Sequence, residues 1–486
     1  GGRSTGVAKK TPKSSAARGK RRLVIVANRM PVRKVKGGAR GGSGWETSPG
    51  GLVSALAPML QRSGGAWVGW DGTTSRSARE PFLHDGINIR PVPLTKDELD
   101  RFYAGFSNKT LWPLYHDAIR APAFHRHWWW PYVKVNERYA EATCEVAGDD
   151  DVIWVQDYQL QLAPSMIRDK RPNARIGFFL HIPFPPEELF AKLPWRKQTL
   201  EGLLGADVLG FQTKLSAQNF SRAARRYTSA TGSDTLLNYQ GRQIVVDAFP
   251  ISIQVSQFQD LARDPEVIRE AERFRGSWDQ RKIILCVDRL DYTKGIDIRL
   301  RAFEEVLRRG NFTADECVMI QVAVPTRQSV DDYAELRETV EQYVGRINGT
   351  YAKMEHIAVH YVHRSLPMRE LLAAYLAADV MMVTPLRDGM NLVAKEYCAT
   401  RLEGSGVLVL SEFAGAALEL KQALLVNPYD IDGMATTLED ALRLDDAEAR
   451  RRMNALRRTI EKHDVSAWSD SFLRRLDADF NGSATR

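Results

Sequence analysis

The chain has 486 residues, 44% of them apolar and 26% charged, the balance of an ordinary soluble globular protein with room for about two to four domains. No apolar run approaches the roughly 20 residues needed to cross a bilayer, and the basic N-terminus lacks the apolar stretch of a secretion signal. Cys144, Cys286, Cys317 and Cys398 are too scattered for a disulfide framework or a zinc spacing, so the cytoplasm is the expected compartment. The net charge of +8 resides in the first 22 residues, where Arg3, Lys9, Lys10, Lys13, Arg18, Lys20, Arg21 and Arg22 stand without an acid. The rest of the chain is formally neutral. Charge therefore recommends neither a nucleic-acid nor a membrane partner for the folded body, and the Gly/Ser/Ala/Lys segment reads as a disordered, solvating tail.

Order begins at Leu23-Val24-Ile25-Val26-Ala27, a β-branched run that reads as a buried strand delivering Asn28 and Arg29 at its C-terminal end. A Gly-rich loop over 37–51 ends in Ser48-Pro49-Gly50-Gly51-Leu52, ahead of a helix-like stretch over 52–60. Paired glycines let backbone N–H groups approach a diphosphate. The pair matches neither a Walker loop nor a dinucleotide fingerprint, and such pairs are common in loops. Strands are predicted over 67–70, 152–155, 176–180 and 208–211 with helical patterns between, which implies a parallel sheet covered on both faces. Trp128-Trp129-Trp130 reads as packing rather than a sugar platform, and Gly148-Asp149-Asp150-Asp151 as a solvated turn rather than a metal site. Asp157 directly follows a predicted strand and suits either sugar hydroxyls or a helix N-cap. His181 stands between an apolar strand and the rigid turn Ile182-Pro183-Phe184-Pro185. A lone histidine is more often structural, but a strand-end position favours a functional role.

The second half repeats the alternation, with strands predicted over 283–287, 318–324, 358–362, 380–383, 407–410 and 424–426, and helices over 298–309 and 330–344. Six strands with helical connectors make one doubly wound unit. The boundary is expected at Phe249-Pro250-Ile251-Ser252, and Trp468, Phe472 and Leu476 mark one apolar stripe of a closing helix. The expected fold is thus α/β. A basic tail spans 1–22, one Rossmann-like domain 23–250 and a second 251–465, and a C-terminal helix over 466–486 packs back on the first domain. Ligands of such sheets bind outside the carboxyl ends of the strands, so two facing units would form a deep cleft.

Val287-Asp288-Arg289-Leu290-Asp291-Tyr292-Thr293-Lys294-Gly295 places two cations, Arg289 and Lys294, at a strand end, and Arg327 is a third candidate. Without that setting, the first two would read as an ordinary surface pair. The run from Thr384 through Asp388-Gly389-Met390-Asn391-Leu392 to Glu396 and Tyr397 reads as a buried strand, a tight turn and a helix that carries a carboxylate early. A row of N–H groups and a helix N-terminus at one spot suit the hydroxyls and phosphates of an activated sugar. A departing diphosphate gains negative charge in the transition state, which fixed cations stabilise. The two segments together suggest an enzyme that holds a nucleotide-diphosphate sugar.

These residues, with Trp67-Val68-Gly69-Trp70, Phe106-Ser107-Asn108, Leu111-Trp112-Pro113 and Asp157-Tyr158, closely resemble the trehalose-6-phosphate synthase family of retaining glycosyltransferases, from about Leu23 to the C-terminal helix. That family has the GT-B fold of two facing Rossmann-like domains. The resemblance implies that Arg289 and Lys294 bind the donor diphosphate, approached by Gly50 and Gly51, and that Glu396 holds the ribose. It implies further that Asp388 and the turn Gly389, Met390, Asn391, Leu392 and Val393 hold the glucosyl group, with His181 beside that sugar and Asp157 touching the acceptor. Arg29, Tyr103, Trp112 and Arg327 would form a glucose 6-phosphate pocket, Trp70 would line the cleft, and Leu366 lies near the expected base site. The implied reaction makes α,α-trehalose 6-phosphate with retention, without metal or cofactor. UDP-glucose is the default donor and GDP-glucose the alternative. A homo-oligomer stays open, as do two other readings: a non-catalytic sugar-phosphate sensor and a related synthase that couples cyclitols.

Overall fold

The computed structural model describes residues 21–35, 44–48 and 51–477. Two sheets organise them. The first has ten strands, and its centre is parallel, running in space as Arg242–Ala248, Val208–Phe211, Arg175–Leu180, Val152–Gln156, Leu23–Arg29, Ala66–Trp70 and Ile87–Pro91. Antiparallel strands close its edges: Phe82–His84 on one side, Leu236–Tyr239 and Thr231–Gly232 on the other. The second sheet is all parallel, in the order Val359–Val362, Cys317–Val324, Lys282–Arg289, Val380–Val383, Val407–Ser411, Leu424–Val426. Taken in chain sequence that is 3-2-1-4-5-6, the Rossmann order, with its switch point between Lys282–Arg289 and Val380–Val383.

Central strands such as Val152–Gln156 and Val380–Val383 are buried at every residue, as parallel strands covered on both faces must be. The helix Val465–Leu476 lies on the first sheet rather than the second. Its Phe472 stacks on Trp154 with centroids 4.4 Å apart, and its Trp468 meets Phe179 edge-on at 5.1 Å. Gly177 and Gly210 interrupt two otherwise bulky strands at this place. A Cβ on either would come within 2.6 Å and 2.7 Å of the Phe472 ring, so the helix can seat only where the strands carry no side chain. The chain leaves the first sheet near Phe249 and returns before Val465, and the Val465 N–H donates to the Ile253 carbonyl at 3.0 Å, tying the two crossings together.

Arg21 and Arg22, counted with the basic tail on composition, are described here. Arg22 bonds Asp151 at 3.0 Å and Arg21 pairs with Asp477. Residues 1–20 lie outside the described part. Trp129 of the tryptophan run is buried and stacks on Trp195 at 5.3 Å, while Trp130 is exposed. Leu99–Leu111 winds as a wide π-helix that continues into the helix Trp112–Tyr115, so one rod delivers Tyr103, Asn108 and Trp112 to the same end of the first sheet. No described helix is long and apolar enough to span a membrane.

Candidate active site

Strand Lys282–Arg289 ends in Arg289, and the chain then turns tightly through Asp291. The Asp291 carboxylate caps that turn, accepting from the Thr293 N–H at 2.8 Å and its hydroxyl at 2.6 Å. Gly295 follows at φ +66°, where a Cβ would lie 2.5 Å from the Thr384 carbonyl oxygen. Only glycine lets the turn press against the start of the next functional loop. Lys294 is thereby aimed at Asp388, with Nζ 2.5 Å from Oδ2 and both side chains 12% exposed. Arg289 is more open and lies 5.4 Å from the Trp112 ring.

The loop after Val380–Val383 is clamped from two sides. A Cβ on Gly389 would lie 2.1 Å from the His181 carbonyl oxygen, and one on Gly415 would lie 1.9 Å from the Gly389 carbonyl. Asn391 adopts φ +79° and caps the helix Leu392–Thr400 by accepting from the Ala394 N–H, while its amide donates to Asp388 at 3.2 Å. Helix Gly51–Ser63 of the first sheet points its start at the same place, since a Cβ on Gly51 would be 3.3 Å from Leu392. Two helix N-termini, from the two halves of the chain, thus converge. Gly50 lies outside the described residues. Glu396, one turn in, accepts from the Tyr375 hydroxyl at 2.7 Å.

Facing this group are the ends of the first sheet. Asp157 adopts φ +76°, rare for a residue with a Cβ, and accepts from the His181 N–H at 3.1 Å. His181 sets Nε2 2.8 Å from Gln156 Oε1 and its ring edge-on to Phe179. Arg29 lies 5.0 Å over Trp70, in space that Gly72 leaves open, and Trp70 adjoins Tyr103 at 6.3 Å. Trp112 forms the centre: Arg327 stacks on it at 3.9 Å, and His116 and Tyr158 flank it at 4.2 Å and 5.7 Å. Arg327 comes from the second half, yet it donates to Tyr158 of the first at 2.9 Å, as well as to Tyr333 at 2.8 Å and Asp291 at 3.2 Å.

Electrostatics follow from this crowding. Burial alone would raise the Asp291 carboxyl, but Arg327, Arg289 and Lys294 outweigh it and hold its pKa at about 2. Burial likewise opposes ionisation of Asp388, and Lys294, with Arg289 behind it, brings it below the usual carboxylate value. Burial dominates elsewhere. It raises Asp157 and Glu396, and it lowers His181 and His116, the latter to about 4, so both imidazoles are neutral.

The donor-side expectations Arg289, Lys294, Gly51, Asp388, Gly389, Met390, Asn391, Leu392, Val393 and Glu396 therefore gather at the switch point of the second sheet. His181 and Asp157 oppose them, and Arg29, Trp70, Tyr103, Trp112 and Arg327 form the adjoining wall. Leu366 lines a separate cavity of about 290 Å³ with Val322, Val362 and Arg364, below the same strand ends. Asp291 and Tyr158 stand inside the quoted motifs without an assigned role, and His116 and Tyr375 stand outside them. His116 had a usable signal, four residues after Trp112 at the cap of the same short helix, but Asp291 and Tyr158 become site residues only through partners distant in sequence.

The family model for Glycosyltransferase family 20 matches residues 21–478. The trehalose-6-phosphate synthase of Mycobacterium avium (strain 104) is 50% identical over 475 residues, covering 95% of this chain and 96% of that protein. An E. coli structure bound with UDP-2-fluoro glucose is similar at TM-score 0.87 and 35% identity, covering 94% of this chain and 98% of that one. The α,α-trehalose-phosphate synthase (UDP-forming) of Burkholderia xenovorans, in complex with glucose-6-phosphate, is similar at TM-score 0.86 and 36% identity, covering 94% and 100%. The two-sheet architecture is that of these GT-B structures.

Proposed function

The chain belongs to glycosyltransferase family 20, and on that premise we propose that it transfers glucose from UDP-glucose to glucose 6-phosphate with retention, giving α,α-trehalose 6-phosphate. The observation that carries this reading is the Lys294–Asp388 pair at the switch point, on the same half as Arg327, which stacks on Trp112 of the other half. Without substrate the two charges neutralise each other. An arriving diphosphate takes Lys294 and Arg289, which frees Asp388 to accept from glucosyl hydroxyls beside the N–H groups of Met390 to Leu392. Glu396 accepts from the ribose. Arg29 and Arg327 hold the acceptor phosphate, and Trp70, Tyr103 and Trp112 enclose its sugar.

In the step itself, the bond between the anomeric carbon and the β-phosphate oxygen breaks, and the electron pair leaves with the phosphate. The acceptor's anomeric hydroxyl oxygen bonds to the same face of that carbon, and its proton passes to the departing phosphate oxygen. The protein contributes positioning and fixed positive charge. Asp157, neutral more readily than an exposed carboxyl, orients the acceptor, and neutral His181 touches the glucosyl group. GDP-glucose is the second donor to test.

Initial rates with UDP-, GDP- and ADP-glucose and glucose 6-phosphate, with the product anomers assigned by NMR, test the reading. Nucleotide release coupled to α,α-trehalose 6-phosphate is expected. Acceptor binding without turnover of any donor would favour the sensor, and an inverted product linkage would refute retention.

A further inference from the structure

Arg299 is the one arginine among the described residues whose side chain is 0% exposed in an ion pair. It sits in the first turn of helix Ile296–Arg309, directly beneath the strand ends that carry the site. Its guanidinium spends its donors on four segments. Nη1 reaches Asp288 Oδ2 at 2.5 Å and Gln321 Oε1 at 2.8 Å. Nε donates to the Thr384 hydroxyl at 2.9 Å, and Nη2 to the Lys294 carbonyl at 3.4 Å. Asp288 precedes Arg289 in its strand, Lys294 carries the second cation, and Thr384 opens the loop that leads to Asp388. Gln321 lies on the neighbouring strand and steadies the same carboxylate at 3.4 Å.

We propose that Arg299 is a positioning residue for the donor site, a single buried fork that fixes Arg289, Lys294 and the Asp388 loop relative to one another. Three properties argue for this beyond general stability. A buried ion pair is a poor stabiliser compared with apolar packing, so its retention calls for another role. The planar guanidinium supplies several donors in a fixed geometry that lysine lacks. Its partners also include Asp288, next to Arg289, the carbonyl of Lys294 itself, and Thr384 at the start of the Asp388 loop. Arg281 supplies the contrast. It is also buried, at 4% exposure, but it lies at the opposite ends of the strands and bonds carbonyls such as Ala314 and Ile357. The proposal rests on the functional reading above.

The test compares Arg299→Lys and Thr384→Val with the control Arg281→Lys, using UDP binding by calorimetry, thermal midpoints and the KM for glucose 6-phosphate. Arg299→Lys keeps the charge beside Asp288 but not the fork, and Thr384→Val removes one branch in a chain expected to fold even if the lysine variant does not. Both should weaken UDP by about tenfold or more, the scale of a lost charged hydrogen bond, with the acceptor KM within about twofold of wild type. Arg281→Lys should lose thermal stability and keep its UDP affinity. Wild-type UDP affinity in Thr384→Val, or a loss in Arg281→Lys equal to that in Arg299→Lys at matched thermal midpoint, would overturn the positioning role. A wild-type chain that neither binds UDP nor turns over a donor would instead overturn the functional reading itself.

Discussion

Gly389 meets His181 across the cleft so closely that a Cβ would stand 2.1 Å from the histidine's carbonyl oxygen. The obstacle is backbone, which cannot swing aside, so Gly389→Ala must move the Asp388 turn or part the two halves. A displacement of about 1 Å at a reacting centre costs on the order of 10²-fold, and kcat/KM should fall on that scale while the far-ultraviolet spectrum stays native. Unchanged steady-state kinetics would mean that the two halves meet differently in the working enzyme.

Arg327 bridges the halves through Tyr158 and stacks on Trp112. If it also holds the acceptor phosphate, Arg327→Ala should raise the KM for glucose 6-phosphate by roughly 10–100-fold, the range of a charged hydrogen bond, and leave UDP affinity nearly unchanged. A larger effect on UDP than on the acceptor would reassign the residue to the donor side.

His116 is buried beside Trp112, with Asp291, Asp388 and Lys294 as its charged neighbours, and its pKa lies at about 4 against an ordinary 6.5. Its folded pKa is depressed, so its contribution is present above pH 6.5 and is lost as pH falls through the folded value. Linkage sets the loss at about 3 kcal/mol between pH 6.5 and 4. Urea unfolding across that window should show a shallower decline for His116→Gln than for wild type. Parallel curves would show that the imidazole is free to protonate in the folded protein.

Phe472 fills the gap left by Gly177 and Gly210 and stacks on Trp154. Phe472→Ala should cost about 3–5 kcal/mol in urea unfolding, the usual penalty for emptying an aromatic core position. A loss under 1 kcal/mol would mean that the helix is peripheral to the first sheet's stability.

The parallel framework was legible because strands buried on both faces are written as unbroken apolar runs. The runs over 208–211 and 380–383 coincide with the observed strands. The hairpin near one edge was not. Leu236–Tyr239 alternates exposed and buried residues and Arg242–Ala248 is only partly buried, and they join through Gln240 and Gly241, both at positive φ, where no Asn-Gly signal stands. Within the site, groups at strand ends such as Arg29, Asp157, His181 and Arg289 could be picked out by position. The groups that orient them could not. Arg299 looks like any helix arginine until folding brings Asp288, Gln321 and Thr384 around it, and Asp291 becomes strongly acidic only when Arg327 arrives from 36 residues away.

The central claim is that Lys294 and Arg289 neutralise the diphosphate as it parts from glucose. Single-turnover rates with UDP-glucose and glucose 6-phosphate for Lys294→Ala and Arg289→Ala test it most directly. Each should slow the chemical step by about 10²-fold or more, with glucose 6-phosphate affinity near wild type. Near-wild-type single-turnover rates in either variant would contradict the account.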